Sequence, residues 1–269
     1  MPGPDGTLNL AQSGSPADED RRFMAEALRL GRAMLGRVWP NPAVGCVIVR
    51  EGRIVGRGWT QPGGRPHAER VALDDAGPAA SGATVYVTLE PCCHWGRTPP
   101  CAEAIIAAGV ARVVASVTDP DPRVNGGGFA RLREAGIAVE IGLGVEEAIA
   151  THAGFFHRLR HGTPLVEIGR AACACADAIL SSAPHLPSPP LASLLVTSPQ
   201  GREWPVVVTP THASASAPDG SLPVSLHHPD ADALLRALGG LGLTRLALDT
   251  ADPLVALFCE SSRPCRVGV

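Results

Sequence analysis

Three short stretches of the chain hold the residue types that can do chemistry. His67-Ala68-Glu69 stands at the expected start of a helix. Pro91-Cys92 directly follows an apolar strand, and Cys101 opens the next helix nine positions later. One imidazole and two thiolates form a borderline-soft donor set that suits zinc, one ion per chain. Three protein donors leave the fourth tetrahedral position open to water, which is the catalytic rather than the structural pattern. The two thiolates cancel the formal charge of the dication, and a coordinated water still ionises near neutral pH. Glu69 completes the set. At the first turn of a helix that faces a site end-on, both His67 and Glu69 reach one spot, and the carboxylate can carry a proton from water to a leaving amine. Helix N-termini at the ion would favour the thiolates. The alternative is a folding site closed by Cys93 or His94 as a fourth donor, which would have no use for Glu69.

The elements that must position these groups are legible around them. Ser15-Pro16 before Asp18, Glu19 and Asp20 reads as an N-cap, a first-turn proline and an acidic first turn. Phe23, Ala27, Leu30 and Met34 then recur at helical spacing. Residues 43–49 read as an apolar strand, Glu51-Gly52 as a tight turn and residues 53–59 as the returning strand of a hairpin. The loop Pro62-Gly63-Gly64 leads into a helix over about 66–75, which carries His67 and Glu69. Strands are expected at 83–89, 112–117 and 137–141, and helices at 101–108, 129–134 and from 145 to about 160. After the hairpin, strands and helices alternate. The expected fold class is therefore α/β, a three-layer α/β/α domain on a mixed five-stranded sheet.

Composition narrows the classes. The 269 residues suffice for one large domain or two small ones. With 45% apolar and 18% charged residues, the chain is neither wholly disordered nor a highly charged binder. A net charge of −3 supplies no basic field to gather nucleic acid. No apolar run approaches the roughly 20 residues that cross a bilayer, so no membrane partner is expected. Residues 1–17 are Gly/Pro/Ser-rich, without the basic start and apolar stretch of a secretory signal, and are expected to be a disordered tail. A cytoplasmic location with reduced thiols follows as the expectation, so the eight cysteines are read as metal-binding, catalytic or buried before disulfide-bonded. Every basic residue is Arg, which reflects genome composition rather than function.

The chain is not uniform. After Gly162 the only aromatics are Trp204 and Phe258. Residues 181–190 and 209–223 are so rich in Pro and Ser that they read as linkers without regular structure. A strand at 205–209, a helix at 230–238, a parallel strand at 244–249 and a short helix at 253–258 are all that is expected there. The expected division is a zinc-dependent domain at 18–148, a linking helix at 149–162, and a small, loosely built α/β unit at 163–269.

The motifs Pro40-Asn41-Pro42-Ala43-Val44-Gly45, His67-Ala68-Glu69, Thr88-Leu89-Glu90-Pro91-Cys92-Cys93-His94, Gly96-Arg97-Thr98-Pro99-Pro100-Cys101 and residues 119–128 (DPDPRVNGGG) occur in that order. H-x-E followed by P-C-x-x-C is the zinc-deaminase signature. Here eight residues separate the cysteines. The region 21–162 resembles the cytidine deaminase-like pyrimidine deaminase domain of the bifunctional riboflavin biosynthesis proteins, in which a reductase follows the deaminase. The resemblance implies hydrolytic deamination of 2,5-diamino-6-ribosylamino-4(3H)-pyrimidinone 5′-phosphate, a phosphorylated aminopyrimidine. It assigns His67, Cys92 and Cys101 to zinc and Glu69 to proton transfer, and places Asn41 against the pyrimidine. An amide offers donors and an acceptor to a ring edge, although Asn41 between two prolines also suits a plain turn. His94, Arg97 and Thr98 lie in the insert, with Arg97 a candidate for the substrate phosphate or else a solvated surface residue. Asp119, Arg123 and Asn125 follow the fourth strand, at the edge where α/β proteins bind ligands. Gly126 to Gly128 either present N–H groups to a phosphate or form an ordinary loop. A deaminase of another aminopyrimidine or pteridine, and a non-catalytic zinc scaffold, are the rival readings.

The second part departs from the resemblance. Glu167-Ile168-Gly169-Arg170 stands where a basic residue is expected after the first reductase strand. Leu248-Asp249-Thr250-Ala251-Asp252 stands where a glycine pair would approach a dinucleotide. Residues 163–269 are therefore expected to be a degenerate reductase remnant that binds no NADP(H), kept for assembly or to cover the back of the deaminase. A separate reductase and a homo-oligomer are expected. Cys46 reads as a buried small hydrophobe and Cys93 as packing. Cys173 and Cys175 have only the distant Cys259 and Cys265 as possible zinc partners. His227-His228 reads as an exposed pair.

Overall fold

The computed structural model describes residues 15–96, 99–169, 175–182, 192–197, 203–208, 212–215, 224–227, 231–248 and 265–267. Helix α1 (Pro16–Arg32) starts on the expected cap: Ser15 Oγ accepts from the Asp18 N–H, and Asp18 Oδ2 accepts from the Ser15 N–H. The tail thus ends before residue 16, because the proline is pre-set for the first turn and belongs to the helix. Residues 1–14 lie outside the described residues. Strands β1 (Gly45–Arg50) and β2 (Arg53–Trp59) form the hairpin, turning at Glu51 and Gly52, both of positive φ (51° and 71°). There follow α2 (Ala68–Ala76), β3 (Thr84–Val87), α3 (Cys101–Ala107), β4 (Arg112–Ala115), α4 (Gly127–Glu134), β5 (Ala138–Ile141) and α5 (Val145–His161).

The first sheet has the order β2-β1-β3-β4-β5. β1 runs antiparallel to both neighbours, whereas β3, β4 and β5 are parallel. This is the expected mixed five-stranded sheet. α1 and α5 pack together on one face, and α2, α3 and α4 contact one another on the other. The core between the layers is made of Phe23, Met24, Ala27 and Leu28 from α1, Val47, Ile48, Val85 and Val113 from the sheet, and Ile105, Phe129 and Leu132 from the opposite helices. A Cβ on Gly58 of β2 would stand 2.0 Å from the Ala68 carbonyl oxygen, so α2 lies backbone against backbone on the hairpin. Arg112 pairs with both oxygens of Asp20 (2.9 and 2.7 Å), and the Tyr86 hydroxyl donates to the same carboxylate (2.5 Å), joining α1 to β3 and β4.

The second unit is richer in elements than expected. Strands β6 (Leu165–Ile168), β7 (Ala178–Ser182), β8 (Ala192–Thr197), β9 (Glu203–Val208), β10 (His212–Ala215), β11 (Val224–His227), β12 (Arg245–Leu248) and β13 (Cys265–Val267), with helix α6 (Ala231–Gly240), form an eight-stranded sheet of order β11-β10-β9-β8-β7-β12-β6-β13. Parallel pairing links β7, β12, β6 and β13, including the expected strand near 244–249. The expectation of a loose unit of few elements is corrected. So is the linker at 209–223, which contains β10, because β-propensity depends on context and strands on both sides supply the ladder that His-Ala-Ser-Ala alone would not favour. The linker at 181–190 is likewise trimmed, since β7 runs to Ser182. Pro205 is tolerated within β9 because β10 pairs only with Val206 to Val208. The helix expected at 253–258 lies outside the described residues.

The expected boundary at residue 149 cuts through α5, which is one continuous helix shared by both units. Arg245 of β12 donates to the carbonyls of Ala150 (2.5 Å) and Thr151 (3.2 Å), and its other terminal nitrogen pairs with Glu167 (2.7 Å). Asp177 accepts from the Thr244 N–H and hydroxyl and from the Arg245 N–H. On the same helix, His152 is buried, lies tilted against Phe156 at 5.7 Å, and has no close hydrogen-bond partner for either ring nitrogen among the described residues. Burial brings its pKa down to about 4, with the Thr88 carbonyl working weakly against this and Arg245 adding to it. The unfolded imidazole therefore binds a proton near pH 6.5, where the folded one does not. Stability contributed by neutral His152 is complete above pH 6.5 and declines as pH falls toward 4, by about 3 kcal/mol over the window. In denaturant titrations at pH 7 and pH 4.5, His152→Leu should lose less stability on acidification than the parent chain.

Candidate metal centre and active site

The ends of adjacent parallel strands deliver the site. β3 runs out through Thr88 and Leu89 to Glu90-Pro91-Cys92, and its neighbour β4 leads to Asp119 and Asp121. His67 is the N-cap of α2, in extended conformation, and Glu69 lies in the first turn. Cys101 is the first residue of α3. The donor atoms of His67, Cys92 and Cys101 lie within 4.8 Å of one another, forming a cluster of the kind that can hold a metal ion. His67 Nδ1 is 3.7 Å from Cys92 Sγ and 3.4 Å from Cys101 Sγ. Around a tetrahedral zinc, nitrogen and sulfur donors would stand roughly 3.5 Å apart. The residues fit that ion.

Neither Cys93 nor His94 joins the cluster. Cys93 Sγ turns to the carbonyls of Arg123 (3.6 Å) and Val124 (4.0 Å), which makes it packing, as expected. Cys46 is buried within β1, also as expected, and Cys175 is a free thiol. Cys173 and Cys259 lie outside the described residues.

Electrostatics separate the two thiols. Cys92 accepts from the Cys101 backbone N–H (3.3 Å), and bonds from Cys101 and His67 bring it down to about 4. Its thiolate and burial in turn push Cys101 well up. Glu69 is 4% exposed, and burial raises it to about 7, against the pull of His67. A carboxyl poised there suits proton transfer near neutrality. A dication at the cluster would draw Cys101 and Glu69 down together.

The cluster opens into a cavity of about 290 Å³, at the small end of ligand sites. Asn41, His94 and Asp119 line it with His67, Glu69 and Cys92. The Pro62-Gly63-Gly64 loop serves Asn41: a Cβ on Gly64 (φ 80°) would fall 1.8 Å from Asn41 Nδ2. His94 Nδ1 is buried without a partner among the described residues. Asp119 is buried, its pKa raised to about 6 by that burial, while its Oδ1 accepts from the Asp121 N–H (2.9 Å). Arg97 and Thr98 lie outside the described residues. Asn125 is not brought in. It is exposed, because the turn after Asp121 points it to solvent, and it does not line the cavity. Of the two readings of Gly126 to Gly128, the hydrogen bonds support the ordinary loop. The Gly126 and Gly128 N–H groups (each 2.9 Å) both donate to Glu90, and the Gly127 N–H donates to Val124.

Glu90 is the residue that the spacing did not reveal. Its Oε1 accepts from the Gly128 and Phe129 N–H groups, and its Oε2 from those of Asp119 and Gly126. An acidic residue between a buried strand and Pro-Cys, with a glycine triplet downstream, was the available signal. Phe155, Arg158 and Leu159 of α5, together with Arg65, also line the cavity unforeseen.

Residues 17–117 match the family model of the cytidine and deoxycytidylate deaminase zinc-binding region. The diaminohydroxyphosphoribosylamino-pyrimidine deaminase of Buchnera aphidicola is 48% identical over 146 residues, which are 54% of this chain and 99% of that protein. The chain belongs to the diaminohydroxyphosphoribosylamino-pyrimidine deaminase family. The riboflavin biosynthesis protein RibD of Escherichia coli is 49% identical over 184 residues, 68% of this chain and 48% of that protein. The chain thus spans about half the length of this longer curated relative. A RibD structure from Acinetobacter baumannii matches with a TM-score of 0.68 and 27% identity, over 90% of this chain and 83% of that one. In this deaminase family member the likeness extends past the first sheet into the second unit. No helix among the described residues is long and apolar enough to cross a membrane.

Two substitutions test the scaffold of the site. Glu90→Gln should cost about 2–4 kcal/mol in chemical denaturation, because it strands backbone N–H groups that now share one carboxylate. Gly64→Ala should keep the fold by circular dichroism but lower turnover at least tenfold, by displacing Asn41.

Proposed function

We propose that the chain catalyses zinc-dependent hydrolytic deamination of 2,5-diamino-6-ribosylamino-4(3H)-pyrimidinone 5′-phosphate. The observation that carries this reading is the three-donor cluster with buried Glu69 beside it and a cavity in front. When bound, zinc supplies a Lewis acid that makes water nucleophilic at neutral pH. Glu69 takes the two protons of the attacking water in turn, giving the first to a ring nitrogen and the second to the departing amine. A C–N bond is exchanged for a C–O bond, and ammonia leaves. Asn41 orients the pyrimidine edge, and His94 and Asp119 offer further polar contacts. Arg97 and Thr98 remain candidates in the insert, on the strength of the motif alone.

The second unit, on this reading, binds no NADP(H), and a separate reductase follows in the pathway. In support, Glu167 is held by Arg245, where the resemblance leads one to expect a basic residue. Reduced Cys92 and Cys101 suit a reducing compartment such as the cytoplasm. A homo-oligomer completes the reading, to be checked by light scattering.

Purified protein should contain one zinc per chain and release ammonia from the phosphorylated pyrimidine. Glu69→Gln should keep the zinc and lose roughly 10²–10⁴-fold in turnover. Chelation should abolish turnover, and added zinc should restore it. Full ammonia release by Glu69→Gln would sink the reading, and addition of NADPH should leave the ammonia-free product unreduced.

A further inference from the structure

α5 places Phe155, Arg158 and Leu159 on one face, at helical spacing, and that face walls the cavity that holds His67 and Glu69. Three arginines line this cavity: Arg65, Arg123 and Arg158. They differ in how their charge is used. Arg123 is largely exposed and is paired through its guanidinium with Asp121. Arg65 stands at the metal end, where its charge acts on His67. Arg158 is half-buried and pairs with no carboxylate among the described residues. Its Nε donates to the Gly239 carbonyl at 2.8 Å, at the C-terminal end of α6 in the second unit. Among the described residues the two terminal nitrogens have no partner. Burial disfavours its charge, and Asp177 compensates only at a distance.

A desolvated guanidinium, anchored by one nitrogen and offering two more to a ligand cavity, is built to receive an oxyanion. Of the carboxylates that line the cavity, Glu90 is committed to four backbone N–H groups and Asp121 to Arg123, Asp119 accepts from the Asp121 N–H, and Glu69 lies at the metal cluster. We propose that Arg158 is the seat of the phosphate of the substrate, held in place by the second unit through Gly239. This rests on the deaminase reading and names its specificity-determining residue. It also gives the second unit a function at the site: it presents one wall of the deaminase cavity. Gly239 is itself packed tightly, since a Cβ there would meet the Gly162 carbonyl oxygen at 2.0 Å.

The test uses the zinc-loaded full chain with the phosphorylated pyrimidine and its dephosphorylated counterpart. Arg158→Gln should raise KM for the phosphorylated compound at least tenfold, leave kcat within twofold, and leave KM for the dephosphorylated compound unchanged. Arg158→Lys should recover part of the loss. Gly239→Ala, which touches no substrate, should shift the same KM in the same direction. Equal changes for both compounds, or none, would overturn the proposal. If the parent chain deaminates neither compound, the deaminase reading fails, and calorimetry with ribose 5-phosphate decides separately: binding lost in Arg158→Gln supports the seat, and binding absent or unchanged refutes it. Should Arg158→Gln not fold, phenylglyoxal labelling of the parent chain gives the answer. Ribose 5-phosphate should shield Arg158, and unaltered labelling of Arg158 would refute the seat.

Discussion

A single buried carboxylate organises the ligand-facing edge of the first sheet. Glu90 leaves the end of β3 and accepts four backbone N–H groups, from a loop about 30 residues downstream and from the start of α4. Each bond is charge-assisted and shielded from water, so the loop has little freedom to take another path. The same knot fixes Cys92 two residues beyond Glu90 and Asp119 across from it. A Cβ on Gly128 would lie 2.0 Å from the Pro91 carbonyl, so the approach of the two segments depends on a missing side chain. The metal donors thus sit on a frame that is already closed by hydrogen bonds within the protein.

Much of this was legible in the sequence where the signal was local. The N-cap at Ser15, the hairpin turn at Glu51-Gly52 and the span of β2 each depend on residues close together in the chain. His67, Glu69, Cys92 and Cys101 were readable because metal chemistry restricts the residue types at a few fixed spacings. Strand ends were less legible. The apolar run 83–89 reads as one strand, yet β3 stops at Val87 and Leu89 is buried in the exit loop. Burial and ladder pairing are separate constraints, and composition reports only the first.

What the sequence hid was decided at long range. Glu90 looks like any acidic residue until a distant loop folds back onto it. Gly126 and Gly128 have the composition of an anion cradle, but their N–H groups are already spent. β10, with the sequence HASA, has almost no hydrophobic alternation and exists through the strands on either side. Arg158 and Phe155 follow ordinary helical spacing. Only the packing of α5 turns that face toward the cavity.

The unbroken course of α5 has a mechanical consequence. Seventeen helical residues make a rod about 25 Å long that resists bending. One flank of the rod is fastened to Arg245, and another lines the cavity. The first place where the backbone can swivel is Gly162, at φ 70°, and its carbonyl is crowded by Gly239. Among the described residues α5 therefore joins the two sheets by one continuous helix, and a shift of the second sheet at Arg245 is carried straight to the wall of the cavity.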